Sequence, residues 1–414
     1  MLSIGEAISA VLREAAPRPA VSVTIEEALG LALAEDVASD TDSPPYDKSI
    51  VDGYAVVAED LRGGSAELEI IEEVVAGAVP TRSVLRGMAT RIMTGAPLPH
   101  MADAVVMVER SEVISPSAGA RLFTFGSLGR VRLSDGGVSP GQNILRRGVA
   151  LRRGTTVLTR GRRLRPVDVG LLAEVGRAKV LATPRPRVAV LATGNELVAA
   201  GQPLDQGKIR NSNGPMLAAC ARKYDATPID LGVAKDEVAD LRHRIRQGLS
   251  ADVLVLSGGV SAGVLDLVPQ VLEELGVERI FHKIRLRPGK PLWFGVKRDG
   301  DTPRLVFGLP GNPVSGLVCF ELFVRAALLR LAARDPAPRN NTARLVADYT
   351  HRGERTTFHP AILRGSAEGN TIEPLPWQGS SDLFTATAAN ALCHFPPGEK
   401  PYTAGEWVDV WELD

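Results

Sequence analysis

The sequence predicts a multidomain α/β protein. It should have a parallel-sheet α/β domain, a helical and β N-terminal domain, a small β-rich inserted domain and a C-terminal β domain. Three observations predict this. From about Arg185, apolar strand-like runs alternate with helical stretches, the rhythm of βαβ units and a parallel sheet. Between Pro45 and Gly141, short apolar runs are set among Gly and β-branched residues. Beyond Asp335-Pro336-Ala337-Pro338, short apolar stretches and turns alternate to Asp414. A chain of 414 residues accommodates two to four domains at roughly 150 residues each. The expected segments are 1–44 with 142–180, then 45–141, 181–334 and 335–414.

Ser3-x-x-Glu6 and Thr24-x-x-Glu27 read as capping boxes, opening expected helices over Ile4 to Glu14 and Ile25 to Ala34. Ser43-Pro44-Pro45 then breaks the chain, and Ala104 to Val108 is a strand-like run of the inserted domain. Pro166 to Glu174 reads as a short helix. The α/β rhythm follows, with strands at Val188–Ala192, Ile229–Val233 and Val253–Leu256 and helices at Pro215–Tyr224 and Glu237–Gln247. Ile280–Leu286, Leu292–Val296 and Leu305–Leu309 are further strand-like runs before one long helix, Pro313 to Ala333. Arg344 to Tyr349 opens the last β segment.

Forty-eight basic and 48 acidic residues cancel, which removes the electrostatic argument for nucleic acid or membrane as the main partner. No apolar stretch approaches about 18 residues, so no membrane span is expected. Cys220, Cys319 and Cys393 are far apart and form no C-x-x-C pair, which fits a reducing cytoplasm. The start of the chain lacks the features of a signal peptide. Eight arginines and no acid occupy Gly141 to Pro166; a solvated surface is the plain reading and a partner-binding patch the sharper one.

In a parallel sheet, ligands gather at the loops that follow the strands. Four such loops stand out: Thr193-Gly194-Asn195-Glu196, Ser257 to Gly263, Arg287-Pro288-Gly289-Lys290-Pro291, and Pro310-Gly311-Asn312-Pro313-Val314-Ser315. Asn312 is a favourable N-cap and Pro313 suits the first helical position, so the N–H groups of Val314 and Ser315 are expected to seat an oxyanion. Gly258-Gly259 permits close backbone approach to a phosphate. Lys283, Arg285, Arg287 and Lys290 place four cations within eight residues without an acid. Glu196, Asp236 and Asp266 supply hard oxygen ligands suited to Mg²⁺. Gly259-Val260-Ser261-Ala262-Gly263 also matches the nucleophile-elbow pattern with Ser261 as nucleophile, a short pattern often met by chance. The six histidines show no zinc-ligand spacing.

Ser49-Ile50-Val51-Asp52-Gly53-Tyr54-Ala55-Val56, Arg91-Ile92-Met93-Thr94-Gly95-Ala96-Pro97, Ala104 to Glu109 and the four loops together resemble the MoeA proteins and the gephyrin E domain. The resemblance runs from about Ser3 to Asp414. It implies a four-domain cytoplasmic homodimer with a molybdopterin-binding α/β domain and an active site at the subunit interface. The implied reaction is Mg²⁺-dependent insertion of molybdate into adenylylated molybdopterin, releasing AMP. Carried over by motif, Asp52, Asp266, Glu196 and Asp236 would be catalytic, with Asp266 and Glu196 holding Mg²⁺. Thr94, Gly258, Gly259, Ser261, Lys283, Arg287, Lys290, Pro310, Pro313, Ser315, Arg355, Ser380 and Ser381 would bind substrate. Asn195 and Asn211 replace acids frequent in the family, Val149 and Ala150 stand where an acid is expected, and Arg287 replaces a lysine. A gephyrin-like scaffold, a molybdopterin adenylyltransferase and a Ser261 hydrolase are the rival readings; an adenylyltransferase-type protein is also an expected partner.

Overall fold

A computed structural model describes residues 1–116, 128–259, 267–299, 302–337, 340–367 and 369–413. Ser261 and Asp266 lie outside the described residues. The chain divides into two compact units, one of Met1–Glu35, Arg160–Pro166 and Lys179–Asp414, the other of Asp36–Thr159 and Val167–Ala178.

The first unit is built on a six-stranded sheet. Its strands are β1 (Arg187–Thr193), β2 (Thr227–Ala234), β3 (Val253–Ser257), β4 (Glu278–His282), β5 (Trp293–Lys297) and β6 (Arg304–Leu309), in the order β2-β1-β3-β6-β5-β4. β2, β1, β3 and β6 are parallel, as the βαβ rhythm predicts. β5 runs against both β6 and β4, so the sheet is mixed rather than wholly parallel. The reason is connectivity: only a short loop separates β5 from β6, whereas a parallel return needs a crossover of a dozen residues or more.

Alternate side chains of the central strands feed two cores. Val188, Val190, Val253, Val255, Leu305 and Phe307 pack on one face with α1 (Ile4–Glu14), α2 (Asn213–Lys223) and α5 (Pro313–Cys319). Ala189, Leu191, Leu254, Leu256 and Val306 pack on the other with α3 (Val238–Gly248) and α4 (Leu267–Glu274). α1 forms where its capping box predicts, with Ser3 and Glu6 bonding reciprocally.

The second expected helix does not form. Thr24 and Glu27 do make their box, and the chain closes one turn, Ala28 N–H to Thr24 O at 3.0 Å. Gly30, at φ +81°, then turns it away, and Ala32–Leu33 becomes a strand paired with Ala182–Thr183. The long helix is also interrupted. α5 passes into a π-helical turn, Phe320–Val324, before α6 (Arg325–Leu331). That turn carries Glu321, which is buried, receives the Tyr224 hydroxyl and lies 3.3 Å from Lys223 Nζ.

The C-terminal strands close on themselves: Thr356–Arg364, Thr371–Pro374, Asn340–Leu345, Trp407–Glu412 and Ala391–Phe395 pair in that order, and the last returns to the first. Closure leaves no free edge. Its apolar side chains are continuous with the sheet core through Phe358, Leu392 and Trp411.

The other unit holds a six-stranded sheet in the order Ala104–Met107, Gly53–Val56, Met88–Ile92, Ser65–Val74, Gly129–Ser134, Ser111–Pro116. Gly53 is required there, because any Cβ would run into the Val106 carbonyl of the neighbouring strand.

Candidate active site

Chain order reverses between β1 and β3: β2 lies outside β1, while β6 lies beyond β3. A crevice at the carboxyl ends of the strands is the ligand site such sheets favour. Three loops meet there closely. Gly258, at φ +92°, places its missing Cβ 2.7 Å from Thr193 O, and Gly259, at φ +64°, 2.8 Å from Thr193 Oγ1. Side chains at either position would force the loops after β1 and β3 apart. Gly258 N–H donates to Leu309 O at 3.1 Å, and the Cβ position of Gly311 lies 3.7 Å from Gly258 Cα.

The acidic loops are linked by an amide. Asn195 N–H donates to Asp236 Oδ2 and Asp236 N–H to Asn195 Oδ1, both at 3.2 Å. The Glu196 carboxylate folds back over Gly194, whose missing Cβ would lie 2.5 Å from Glu196 Oε2. Among the described residues no three metal-ligating side chains gather. Glu196 and Asp236 are nonetheless exposed oxygen donors on neighbouring loops, and Mg²⁺ commonly takes one or two carboxylates plus substrate phosphates, so this donor set fits it.

The cationic segment is fixed rather than floppy. β4 ends at His282 because Lys283 adopts φ +68°, so the expected strand to Leu286 is broken. Leu286–Arg287 instead pairs in parallel with Thr356–Thr357 of the closed barrel. Arg355 Nη1 donates to Leu286 O at 3.0 Å and Arg287 Nη1 to Arg352 O at 3.1 Å, which brings these two arginines together. Gly289, at φ +122°, lies with its Cβ position 2.6 Å from Cys319 Sγ. Among the described residues, Lys283, Arg285, Arg287 and Lys290 form no ion pair with a carboxylate.

The opening of α5 differs from the expected oxyanion seat. Val314 N–H is already spent on Ser380 O, at 3.0 Å. Asn312 does not cap with its side chain; its Nδ2 reaches Ser380 Oγ at 2.8 Å. The Pro310–Ser315 loop is therefore tethered to the Gln378–Asp382 turn, which Asp382 holds by accepting from Gln378 N–H and Thr385 N–H. Pro313 occupies the first turn as expected, and Ser315 is buried. The backbone carbonyl of Ser381 accepts a local bond from Leu383 N–H at 2.9 Å.

Asp52 and Thr94 lie in the other unit and form a pair of their own. Thr94 donates its backbone N–H and its hydroxyl to Asp52 Oδ1, each at 2.7 Å. The N–H, then the hydroxyl, hold this exposed carboxyl below the ordinary aspartate range.

Sequence reading passed over Asn213. It opens α2, is 9% exposed, and sends Nδ2 to Ser257 Oγ at 2.7 Å and to Gly311 O at 2.6 Å. Two signals were available: its place in the Ser212-Asn213 pair that follows Asn211, and a polar side chain heading Gly214-Pro215-Met216 in a region of apolar helices.

Comparison with known proteins agrees with this layout. Residues 2–176 match the MoeA N-terminal region (domain I and II), 189–330 a probable molybdopterin binding domain, and 342–413 the MoeA C-terminal region (domain IV). A molybdopterin molybdenumtransferase of Staphylococcus aureus (strain Mu50) is 33% identical over 99% of this chain and 95% of its own length. One from Staphylococcus epidermidis (strain ATCC 12228) is 32% identical over the same shares. The molybdopterin biosynthesis MoeA protein of Pyrococcus horikoshii superposes with a TM-score of 0.83 at 33% identity, covering 100% of this chain and 99% of that one. A second such structure, from Pyrococcus horikoshii OT3, gives 0.74 at 29% identity over 100% of both. The chain belongs to the MoeA family of molybdenum cofactor biosynthesis proteins.

Proposed function

We propose that the protein is a molybdopterin molybdenumtransferase that joins molybdate to adenylylated molybdopterin and releases AMP. The observation that carries this reading is the kinship over 99% of the chain with enzymes of that name, at 33% identity. It does not favour the gephyrin-like scaffold.

The geometry is suited to the chemistry. A phosphoanhydride and a tetrahedral oxyanion need neutralised charge and fixed orientation more than a covalent intermediate. Arg287, Arg355 and Lys290 would supply the positive charge, with Lys283 beside them, and the Ser380 and Ser315 hydroxyls the hydrogen bonds. Ser381, Ser261 and the backbone at Gly258, Gly259, Pro310 and Pro313 would complete the binding surface. Glu196, with Asp266, would hold Mg²⁺, and Asp236 is joined to the Glu196 loop through Asn195. Bound Mg²⁺ supplies charge compensation on the pyrophosphate. Asp52 and Thr94 would serve the site of the other subunit of a cytoplasmic homodimer, and an adenylyltransferase would hand over the substrate. The four segments set out from the sequence are proposed as the domains of each subunit. Asn195 and Asn211 keep hydrogen-bonding capacity while lowering the negative charge near the metal.

Incubation with adenylylated molybdopterin, Mg²⁺ and molybdate should release AMP, with tungstate and an oxyanion-free mixture as parallel arms. Release no greater than a protein-free blank sinks the proposal. Glu196→Gln should lower the rate at least tenfold and raise the Mg²⁺ concentration needed for half-maximal release.

A further inference from the structure

Asn213 carries a feature that the anion-binding groups do not explain. Its Oδ1 is buried and, among the described residues, accepts no hydrogen bond. The orientation of the amide is fixed, since the Gly311 carbonyl can only accept and must face Nδ2. With Ser257 Oγ at 2.7 Å taking the other amide hydrogen, the side chain has no donor left and one acceptor to spare. Buried acceptors are nearly always satisfied, so an orphan on this scale marks a place for a ligand group.

The chemistry of that group follows by exclusion. An anion is repelled by a bare carbonyl oxygen. A metal cation needs a ring of oxygens, and Ser257 Oγ and Gly311 O are already engaged by the Asn213 Nδ2 hydrogens. What remains is a neutral hydrogen-bond donor, which on a heterocyclic substrate is an amino or ring N–H group. The surroundings favour one on a flat ring: the amide is held by Gly311 O and by Ser257, which Gly258 follows, and the Cβ position of Gly311 lies 3.7 Å from Gly258 Cα, so backbone without side chains adjoins it. We propose that Asn213 Oδ1 reads a ring amino group of the substrate and so selects its heterocycle, while the cations hold its phosphates. This rests on the molybdenumtransferase reading, in which the substrate carries two such rings, the pterin with its 2-amino group and the adenine with its 6-amino group.

The test compares ligands that differ only in that amino group. Dissociation constants are measured by calorimetry for pterin against 4-hydroxypteridine, and for AMP against purine riboside 5′-monophosphate. In the unaltered protein one pair should differ by about tenfold, the worth of one hydrogen bond to a buried neutral acceptor. In Asn213→Ala the difference in that pair should collapse to near onefold, while a merely structural role would weaken both members equally. The pair that responds identifies the ring. Equal affinities within both pairs for the unaltered protein, absence of binding by all four ligands, or a discrimination that survives Asn213→Ala overturns the proposal. The unaltered protein alone suffices for the first two results if the variant does not fold. AMP release from adenylylated molybdopterin by the unaltered protein separates the two failures: release with no amino-group discrimination removes Asn213 alone, and absence of release removes the reading beneath it.

Discussion

Asp52 shows how a single exposed side chain is given a fixed direction. Gly53 lets its strand sit flush against Val106, Val108 N–H anchors the Asp52 carbonyl at 2.9 Å, and Thr94 takes one carboxylate oxygen with two donors. Among the described residues the other carboxylate oxygen accepts no hydrogen bond, which suits the catalytic role proposed for it. Thr94→Val keeps the backbone donor and removes the hydroxyl. The carboxyl of Asp52 should then titrate higher than in the unaltered protein, yet still below the ordinary value of about 3.9, because the backbone bond is the larger of the two influences. Carbon-detected NMR titration of the Asp52 side chain checks this; an unchanged midpoint would mean the hydroxyl contributes nothing. Asn213 and Asn312 teach a related lesson at the same scale. Asn312 was expected as the N-cap of an oxyanion seat and Asn213 was given no role, but their amides serve partners 44, 98 and 68 residues away.

Elements were legible wherever their cause was local. α1 carries its own capping box, and β1, β3 and β6 are buried runs whose alternation feeds two cores, so periodicity alone placed them. The Ile25–Ala34 helix failed because distant backbone outcompeted it: Leu33 N–H bonds Arg162 O at 2.9 Å, and Gly30 N–H bonds Leu164 O at the same distance. The four loops at the strand ends were recognisable from glycine and charge, whereas their tethers to the barrel were not, since Arg287 and Arg355 meet only through strand pairing. Gly289 concentrates this dependence on tertiary contact. Alanine there would combine φ +122° with a Cβ 2.6 Å from Cys319 Sγ and 2.8 Å from Leu286 Cδ2. Gly289→Ala should cost about 1–3 kcal/mol in urea denaturation and raise the apparent KM for substrate by loosening the cationic loop. Gly170→Ala offers the opposite sign. It lies exposed inside the helix Pro166–Glu174 with nothing within 4 Å of its Cβ position, so alanine should stabilise by about 0.5–1 kcal/mol. A destabilised Gly170→Ala or a neutral Gly289→Ala would contradict these assignments.

Across the whole molecule, zero net charge conceals two kinds of basic stretch. Three of the arginines between Gly141 and Pro166 find acids elsewhere in the chain: Arg146 pairs with Asp47, Arg147 with Asp42 and Arg163 with Asp225. The cations of the Lys283–Lys290 loop form no ion pair among the described residues, although the Ser3 hydrogen bonds, and then Arg285 from a distance, lower the pKa of Glu6, and the charge of the others is the charge the proposed substrate needs. The same loop reaches into the histidines of the barrel. His351 is 2% exposed and stacked on Phe395; burial, then the Arg287 guanidinium, pushes its pKa below the ordinary value. His359 bonds Tyr349 Oη through Nδ1 and Leu375 O through Nε2, and burial lowers its pKa too, with Arg287 and His351 adding to the effect. Both rings are therefore neutral in the folded protein where an unfolded chain would already bind protons. Stability from these groups is complete above the unfolded histidine value of about 6.5 and is lost as pH falls below it toward the lower folded values. Thermal unfolding followed between pH 7.5 and 5 should show the melting temperature falling below about pH 6.5. His359→Gln should flatten that slope, because glutamine has no proton to take up. A melting temperature that is level through this range would contradict the lowered values of both histidines, and a slope unchanged in His359→Gln would remove His359 as a source of the acid sensitivity.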